Sequence, residues 1–342
     1  MESARLSSTT YLGVALLVAS TTGAACFRTP LDDVHNSTPD GSAHHLDAMD
    51  LTGAKADVPA DGAPEALPDL APDLRPDLAS DGVPAAAAFV SISAGYGSAC
   101  GVKTDGTIAC WGDNASGEAT PPSGTFTSVS AGDGFTCGLR TDGTVACWGL
   151  KVGAPPTGTF TSINTGNGLA CGVRTDRTIA CWGNNYGRAT PSAGSFASVS
   201  AGDGFACAVK SDGTVTFWGA TSIPNLDTPP SGTFTSISAG VILACGVRTD
   251  GTIACWDDYF LGAAPPAGTF SSVSAGQYFA CGLRTDGTIA CWGDNSYGRA
   301  TPPAGTFASV SAGYVFACGL RTDGTIVCWG DNSYGEATPP AP

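Results

Sequence analysis

Positive charge is scarce in this chain. Its 342 residues include 15 Lys and Arg against 30 Asp and Glu, which gives a net charge of −15. A protein that binds nucleic acid needs a basic surface to neutralise phosphates, so we predict no nucleic-acid partner. Histidine, the most frequent general base, is also rare: the chain has three, and all of them precede residue 46.

The N-terminal region lacks an apolar run long enough to span a membrane. The run Tyr11–Ala19 is short, follows Arg5 and precedes small residues. This pattern predicts a secretory signal peptide over residues 1–25. Cys26 stands where a bacterial lipoprotein signal places its acylated cysteine, and the region resembles such a signal, although Gly23 replaces the usual Leu. We favour lipidation at Cys26 over plain cleavage after Ala25, and one alkyl chain alone would anchor the protein only weakly.

Aromatic residues are almost absent from the next segment, residues 26–88. From Phe27 to Ala88 it carries 12 Asp and Glu against three Lys and Arg, with many Pro and Ala. Such a composition cannot bury enough apolar surface to offset the entropy of ordering, so we predict a disordered, extended tether. The histidines His35, His44 and His45 lie here, and we interpret them as part of a solvated linker and not as a metal site, because no Cys accompanies them.

The remaining sequence, residues 89–342, is a sevenfold repeat. Its tryptophans are spaced 37, 34, 36, 38, 36 and 37 residues apart, and a phenylalanine early in each unit keeps the same spacings. These tryptophans are Trp111, Trp148, Trp182, Trp218, Trp256, Trp292 and Trp329. The phenylalanines are Phe89, Phe126, Phe160, Phe196, Phe234, Phe270 and Phe307. A period of this length indicates a solenoid, a propeller or an array.

Each unit reads as three short β-strands. Phe307–Gly313 (FASVSAG), Ala317–Arg321 (ACGLR) and Gly324–Gly330 (GTIVCWG) show no helical periodicity, and Gly and Pro punctuate every unit. Seven small antiparallel sheets arranged radially leave only short edges, as in a propeller. We therefore predict an all-β fold, a seven-bladed propeller of three-stranded blades. A β-solenoid is the alternative, but neither end shows a polar capping unit.

The segment Ser274–Gly298, SAGQYFACGLRTDGTIACWGDNSYG, resembles the repeat of the regulator-of-chromosome-condensation family in its short bacterial form. The shared features are A-G before the second strand, the D-G-T turn, W-G and D-N-x-x-G. That form is similar to β-lactamase inhibitory protein II. The resemblance implies a propeller fold and says little about function, since propellers host many functions.

Fourteen cysteines indicate an oxidising compartment. A three-residue T-D-G turn between strands two and three places Cys281 opposite Cys291, at a non-hydrogen-bonded pair where Cα atoms approach to about 4.5 Å. The same register predicts six disulfides. They are Cys100–Cys110, Cys137–Cys147, Cys171–Cys181, Cys245–Cys255, Cys281–Cys291 and Cys318–Cys328.

Two repeats break the pattern. In the fourth, Cys207 faces Phe217, so we predict a free buried thiol there. In the third, Arg177 replaces the turn glycine, which predicts local strain. A spacing of nine residues between paired cysteines does not suit zinc, and each T-D-G turn offers one carboxylate where calcium needs several oxygens. We expect no metal, no cofactor and no catalytic residue.

Residues that vary between repeats are candidates for binding, because identical positions are explained by folding. The two positions after each A-G or T-G vary most. Closure of the ring predicts an apolar arc from repeats five, six, seven and one, beside an acidic arc from repeats two to four. The candidate partner-binding residues are Tyr96, Asp133, Asn167, Asp203, Val241, Ile242, Gln277, Tyr278, Tyr314 and Val315. The irregular loop 257–261 is a second candidate.

These observations favour a non-catalytic protein-binding or scaffold module on a bacterial envelope, held there as an outer-membrane or surface lipoprotein through Cys26. Secretion without an anchor is the alternative location. A surface or secreted enzyme inhibitor is the alternative function. Guanine-nucleotide exchange and hydrolysis are disfavoured, since an exported chain meets no small GTPase and the repeats contain no histidine.

Overall fold

The computed structural model describes residues 88–150, 153–183, 190–219, 228–256 and 264–341. The predicted signal peptide, Cys26, the tether up to residue 87 and the loop 257–261 lie outside these residues. Within them, seven three-stranded antiparallel sheets follow one another along the chain. A single turn of 3-10 helix, Ser296–Gly298, is the helical element seen there. No helix among the described residues is long and apolar enough to cross a membrane.

Each sheet is one blade, built from three consecutive strands with the second strand in the middle. Blades 1 to 7 comprise β1–β3, β4–β6, β7–β9, β10–β12, β13–β15, β16–β18 and β19–β21, in that order. The strands of blades 1 to 4 are β1 Phe89–Ala94, β2 Ser98–Lys103, β3 Ile108–Gly112, β4 Phe126–Ala131, β5 Phe135–Arg140, β6 Val145–Gly149, β7 Phe160–Thr165, β8 Leu169–Arg174, β9 Ile179–Gly183, β10 Phe196–Ala201, β11 Phe205–Lys210 and β12 Val215–Gly219. The strands of blades 5 to 7 are β13 Phe234–Ala239, β14 Ala244–Arg248, β15 Ile253–Trp256, β16 Phe270–Ala275, β17 Phe279–Arg284, β18 Ile289–Gly293, β19 Phe307–Ala312, β20 Phe316–Arg321 and β21 Ile326–Gly330. The predicted all-β propeller fold is confirmed.

The T-D-G turns fix the register of the second and third strands. In blade 6 the Asp286 carboxylate accepts hydrogen bonds from both the amide and the hydroxyl of Thr288, and Gly287 adopts a φ of 84°. That left-handed conformation is cheap for glycine alone. In blade 3 the same conformation falls on Arg177, with a φ of 68°, so the predicted strain is present.

A ring of side-chain hydrogen bonds joins the first strands of neighbouring blades. A serine of one blade, or Asn164 in blade 3, accepts a hydrogen bond from a backbone amide near the end of the next blade's first strand. The seven donor and acceptor pairs are Ala131–Ser93, Thr165–Ser130, Ala201–Asn164, Ala239–Ser200, Ala275–Ser238, Ala312–Ser274 and Ala94–Ser311. The last pair links blade 7 to blade 1, which closes the ring and excludes the solenoid.

The apolar core is divided into seven clusters, one at each contact between blades. Each cluster places the tryptophan of one blade against the middle-strand cysteine of the preceding blade. Trp292 of blade 6, for example, packs with Cys245 and Leu243 of blade 5. Trp256 of blade 5 packs with Cys207 of blade 4 in the same way. The tryptophans therefore hold neighbouring blades together, as large aromatic side chains in a core do.

All six predicted disulfides are present, each with a Cα–Cα distance of 4.0 Å. The register is the predicted one: Cys281 pairs with Cys291, Gly282 with Ala290 and Leu283 with Ile289. Cys207 is free and fully buried, opposite Phe217.

Candidate functional site: the hub face

The turns between first and second strands all lie on one face of the ring, which we call the hub face. The T-D-G turns lie at the other end of the strands, on the opposite face. On the hub face, the first variable residue of a blade donates its backbone N–H to the glycine carbonyl of the next blade. These bonds are Tyr96 to Gly132 (3.2 Å), Asp133 to Gly166 (3.4 Å), Asn167 to Gly202 (3.3 Å), Val241 to Gly276 (3.3 Å) and Tyr314 to Gly95 (3.0 Å).

Glycine is required at the A-G positions by this close approach of backbones. A Cβ atom on Gly95 would lie 2.6 Å from the carbonyl oxygen of Gly132, and one on Gly313 would lie 2.4 Å from that of Gly95. The invariant glycine of each A-G or T-G pair thus lets seven loops come together around the axis. The residue after each pair is carried to the centre of the face.

At this centre the structure forms a cavity of about 320 Å³, the hub cavity. Small Ala, Thr and Gly residues of every blade form its wall, and the side chains around it come from the variable position. Six of the predicted binding residues line it: Tyr96, Asp133, Asn167, Asp203, Val241 and Tyr314. Gln277 does not line it, but its amide donates a hydrogen bond to the Tyr314 hydroxyl. The second variable residues Ile242, Tyr278 and Val315 also stand apart from the cavity, half-buried, and Ile242 packs against the cluster between blades 5 and 6.

One side of the hub cavity is aromatic. The rings of Tyr96 and Tyr314 have centroids 4.0 Å apart and are tilted by 31°. Tyr96 remains 44% exposed. Burial, followed by the neighbouring Tyr96 hydroxyl, raises the pKa of Tyr314, while the hydrogen bond from Gln277 acts in the opposite direction. Tyr314 is therefore neutral at physiological pH, and both tyrosines line the cavity.

The other side is acidic. Asp203 and Asn167 are exposed and adjacent, joined by a parallel backbone bridge, and Asp133 is half-buried. Burial first, then the negative charges of Asp203 and Glu118, raise the pKa of Asp133 above its usual value. Over the described residues, the one ion pair joins Arg299 to Asp294, in a loop after blade 6, so neither carboxylate of the cavity has a cationic partner there.

Sequence reasoning missed two tyrosines on this face. Tyr297 and Tyr334 belong to the D-N-S-Y-G loops that follow blades 6 and 7, and they are 70% and 62% exposed. The Tyr334 ring lies beside Gly97 of blade 1, because a Cβ on Gly97 would be 3.6 Å from it. The signal was available: the two loops place Tyr where the matching loop after blade 1 has Ser116.

Four of the seven repeats match a known sequence repeat. The sequence profile of the regulator of chromosome condensation (RCC1) repeat matches residues 89–118, 126–150, 270–299 and 307–336. The ectodomain of the receptor kinase ACR4 from Arabidopsis thaliana is 30% identical, with a TM-score of 0.59 over 71% of this chain and 96% of that chain. This chain belongs to the RCC1-repeat family.

Other solved structures share the RCC1-repeat propeller architecture. The ectodomain of the receptor kinase CR4 from Physcomitrella patens is 27% identical, with a TM-score of 0.62 over 71% of this chain and 74% of that chain. Human WBSCR16, at 15% identity and a TM-score of 0.56 over 67% and 85%, shares the fold alone. No curated protein matches the sequence. The four matched repeats are blades 1, 2, 6 and 7.

Metal-ligand clusters and an accessible thiol are both lacking in the part of this RCC1-repeat protein that the structure describes. The described residues contain no group of three or more His, Cys, Asp or Glu side chains that could hold a metal ion. Cys207 is fully buried, and burial alone raises the pKa of its thiol far above the usual range, so it does not supply a nucleophile. What the hub face does offer is tyrosine rings, two carboxylates and an amide around one cavity.

Proposed function

We propose that this RCC1-repeat propeller is a non-catalytic protein-binding module and that the hub face is its binding surface. One observation carries the proposal: exposed tyrosines and varied side chains gather on this face, above a frame that repeats seven times. Tyrosine is among the residue types that dominate binding energy at protein interfaces, because its ring buries much area and its hydroxyl still finds a hydrogen bond.

The opposite face offers a clear contrast. In every blade its turn is built from the same hydrogen bond, which a threonine amide donates to an aspartate carboxylate. Next to these turns, Lys103 and five arginines each lie over the phenylalanine ring that begins their own blade, at distances of 4.9–5.4 Å. Such uniformity gives a partner little to recognise.

An exported location fits the disulfides. Disulfides persist in oxidising compartments, and six blades each contain one here. The two plant structures that resemble this chain at 27% and 30% identity are ectodomains of receptor kinases. We propose that this chain is a bacterial counterpart of the short repeat form, anchored through Cys26 to the cell envelope and held away from it by the tether, residues 26–88.

The proposal is tested by affinity capture with the full-length mature protein, kept oxidised, from envelope and secreted fractions. The decisive variant replaces Tyr96, Tyr297 and Tyr334 by Ser. The matched control is Val90→Ser, because Val90 is 55% exposed and lies at the far end of β1 from Tyr96. We expect a partner, identified by mass spectrometry, that binds the wild type and the control at least tenfold better than the triple variant.

Equal capture by all three proteins would overturn the assignment of the hub face. If the partner is an enzyme and loses activity when bound, the module acts as an inhibitor. If its activity is unchanged, the module is a scaffold.

Export is tested separately by labelling with radioactive palmitate, which should mark the wild type and not Cys26→Ser.

A further inference from the structure

The hub cavity brings together two features that the general role of a binding face does not require: an uncompensated pair of carboxylates and a stacked pair of tyrosines. We propose that this cavity is a binding site for an organic cation, an ammonium or guanidinium group carried on an alkyl stem. This inference deepens the proposed function. We expect the cation to be a Lys or Arg side chain of the partner protein, and that expectation rests on the proposed function.

The carboxylates supply the charge recognition. Asp133 and Asp203 approach from blades 2 and 4, and Asn167 of blade 3 adds an amide oxygen between them. Asp133 senses the negative charges of Asp203 and Glu118, and burial already disfavours its charged form. A cation placed in the cavity relieves this repulsion and stabilises both carboxylates.

The protein's own cations are occupied elsewhere in the part of the chain that the structure describes. Lys103 and five arginines lie over phenylalanine rings at the opposite face. Lys210 holds the same strand position in blade 4, and Arg177 is in a turn on that face. Arg299 is buried and paired with Asp294. No described cation is therefore free to fill the hub cavity, which fits a cation supplied from outside.

The tyrosine pair favours an organic cation over a metal ion. Ammonium and guanidinium groups bind the faces of neutral aromatic rings, and this protein already holds seven of its own cations over rings. Calcium takes about six to eight oxygen ligands, whereas three of the six variable side chains that line the cavity are Tyr96, Tyr314 and Val241. The alkyl stem of a Lys or Arg side chain would pack against the Ala and Gly wall.

The size of the cavity suits one basic side chain. Its volume of about 320 Å³ equals that of about ten water molecules in the liquid. An α-helix with its side chains is about 10–12 Å across and would need far more room. A partner would therefore rest on the surrounding tyrosines and insert a single basic side chain at the centre.

The test is calorimetric titration of the full-length protein with Nα-acetyl-lysine N-methylamide. We expect saturable binding that the neutral Nε-acetylated form of the same probe does not show. The double variant Asp133→Asn, Asp203→Asn should weaken binding at least tenfold. It should also fold, because it removes like charges without changing shape. Asp113→Asn is the matched control: it deletes one charge from an outer loop of the same face, the amide oxygen can still accept the bond from Ala115, and it should bind like the wild type.

Several results would overturn the inference. They are the absence of saturable binding, equal binding of the charged and neutral probes, equal binding by the double variant, and displacement of the probe by calcium at concentrations like its own. A Tyr314→Leu variant that binds as tightly as the wild type would remove the aromatic half of the site.

Competition then identifies the source of the cation. If the lysine probe displaces the partner captured through the hub face, the ligand is a partner side chain. If the probe binds but does not displace it, the ligand is a free small cation. Failure of the two proposals is distinguishable, since probe binding without any captured partner leaves the cation site and removes the protein-binding role. Capture of a partner that requires the tyrosines but neither aspartate would keep the protein-binding role and remove the cation site.

Discussion

Blade 4 and blade 6 pair their second and third strands in the same way, but they differ in the two residues at the disulfide position. In blade 6, Cys281 is bonded to Cys291. In blade 4, Cys207 faces Phe217, whose ring stacks on Phe205 with centroids 5.2 Å apart. The two hairpins nevertheless have identical registers, residue for residue. A disulfide is therefore not needed to set the hairpin, and the turn and the neighbouring tryptophan already set it.

The largest expected effect comes from removing that tryptophan. Trp256→Ala deletes the ring that packs on Cys207 and should cost about 3–5 kcal/mol of unfolding free energy. Guanidinium denaturation measures this loss. It should also let a thiol reagent reach Cys207, which in the wild type is protected by burial and by its raised pKa.

Trp292→Ala is the control for that experiment, because it uncovers the disulfide-bonded Cys245 instead of a free thiol. It should destabilise the protein by a similar amount without new labelling. If Cys207 reacted as fast in the wild type as in Trp256→Ala, the packing explanation would fail.

The second effect is the loss of one disulfide. The double variant Cys281→Ala, Cys291→Ala turns blade 6 into a hairpin without a bridge, and it should lower the unfolding free energy by about 2–3 kcal/mol. We expect the blade to keep its register, as blade 4 does, so amide exchange of Gly282 and Ala290, which form a hydrogen-bonded pair between the two strands, should remain slow. Rapid amide exchange confined to blade 6 would show that the hairpin of blade 6 needs its disulfide, although the hairpin of blade 4 forms without one.

A third variant adds the missing bridge. Phe217→Cys places a cysteine opposite Cys207 in the register that forms six disulfides elsewhere, and the bond should form with the loss of two hydrogens, visible by mass spectrometry. The net gain should be about 1 kcal/mol, because the disulfide replaces a stacked aromatic pair. Phe217→Ala, which loses the ring without gaining a bond, should be less stable than the wild type. A persistently free thiol pair in Phe217→Cys would contradict the shared register.

The smallest expected effect lies in blade 3. Arg177→Gly restores the usual turn residue where the backbone has a φ of 68°, and should raise stability by about 1 kcal/mol. The reciprocal change Gly143→Arg in blade 2, where φ is 83°, should lower stability by a similar amount. Thermal unfolding measures both, and opposite signs in this pair are the required result.

The strands, their register and the six disulfides were predictable because they depend on local chemistry. A T-D-G turn fixes which residues face each other, and the pairing of Cys281 with Cys291 follows by counting. The free thiol of Cys207 follows from the same count. These relations involve residues within about ten positions of one another, so the sequence of one repeat contains them.

The arrangement of the hub face was less predictable, because it depends on how seven blades meet. The variable pair after each glycine was identified, but the cavity is lined by the first member alone, in six of the seven blades, whereas Gln277, Ile242 and Tyr278 stand apart from it. Tyr334 reaches Gly97 in a different blade, a contact between the two ends of the repeat array. Such residues come together only when the ring closes, and the sequence pattern within one repeat does not specify which residues of other blades will be near.

The ring closes through hydrogen bonds and packing between blade 7 and blade 1, and every blade is built from three consecutive strands. The order of the blades in the gene is therefore open to change. The twelve residues 331–342, followed by Ala88, match one for one the thirteen residues 113–125 that connect blade 1 to blade 2. Ala88 accepts a hydrogen bond from Thr104 just as Thr125 does from Thr141. Residues 331–341 thus follow blade 7 as residues 113–123 follow blade 1. A circular permutant that joins residue 342 directly to residue 88 and opens the chain before Phe126 would need no added linker, and the ring has no intrinsic first blade.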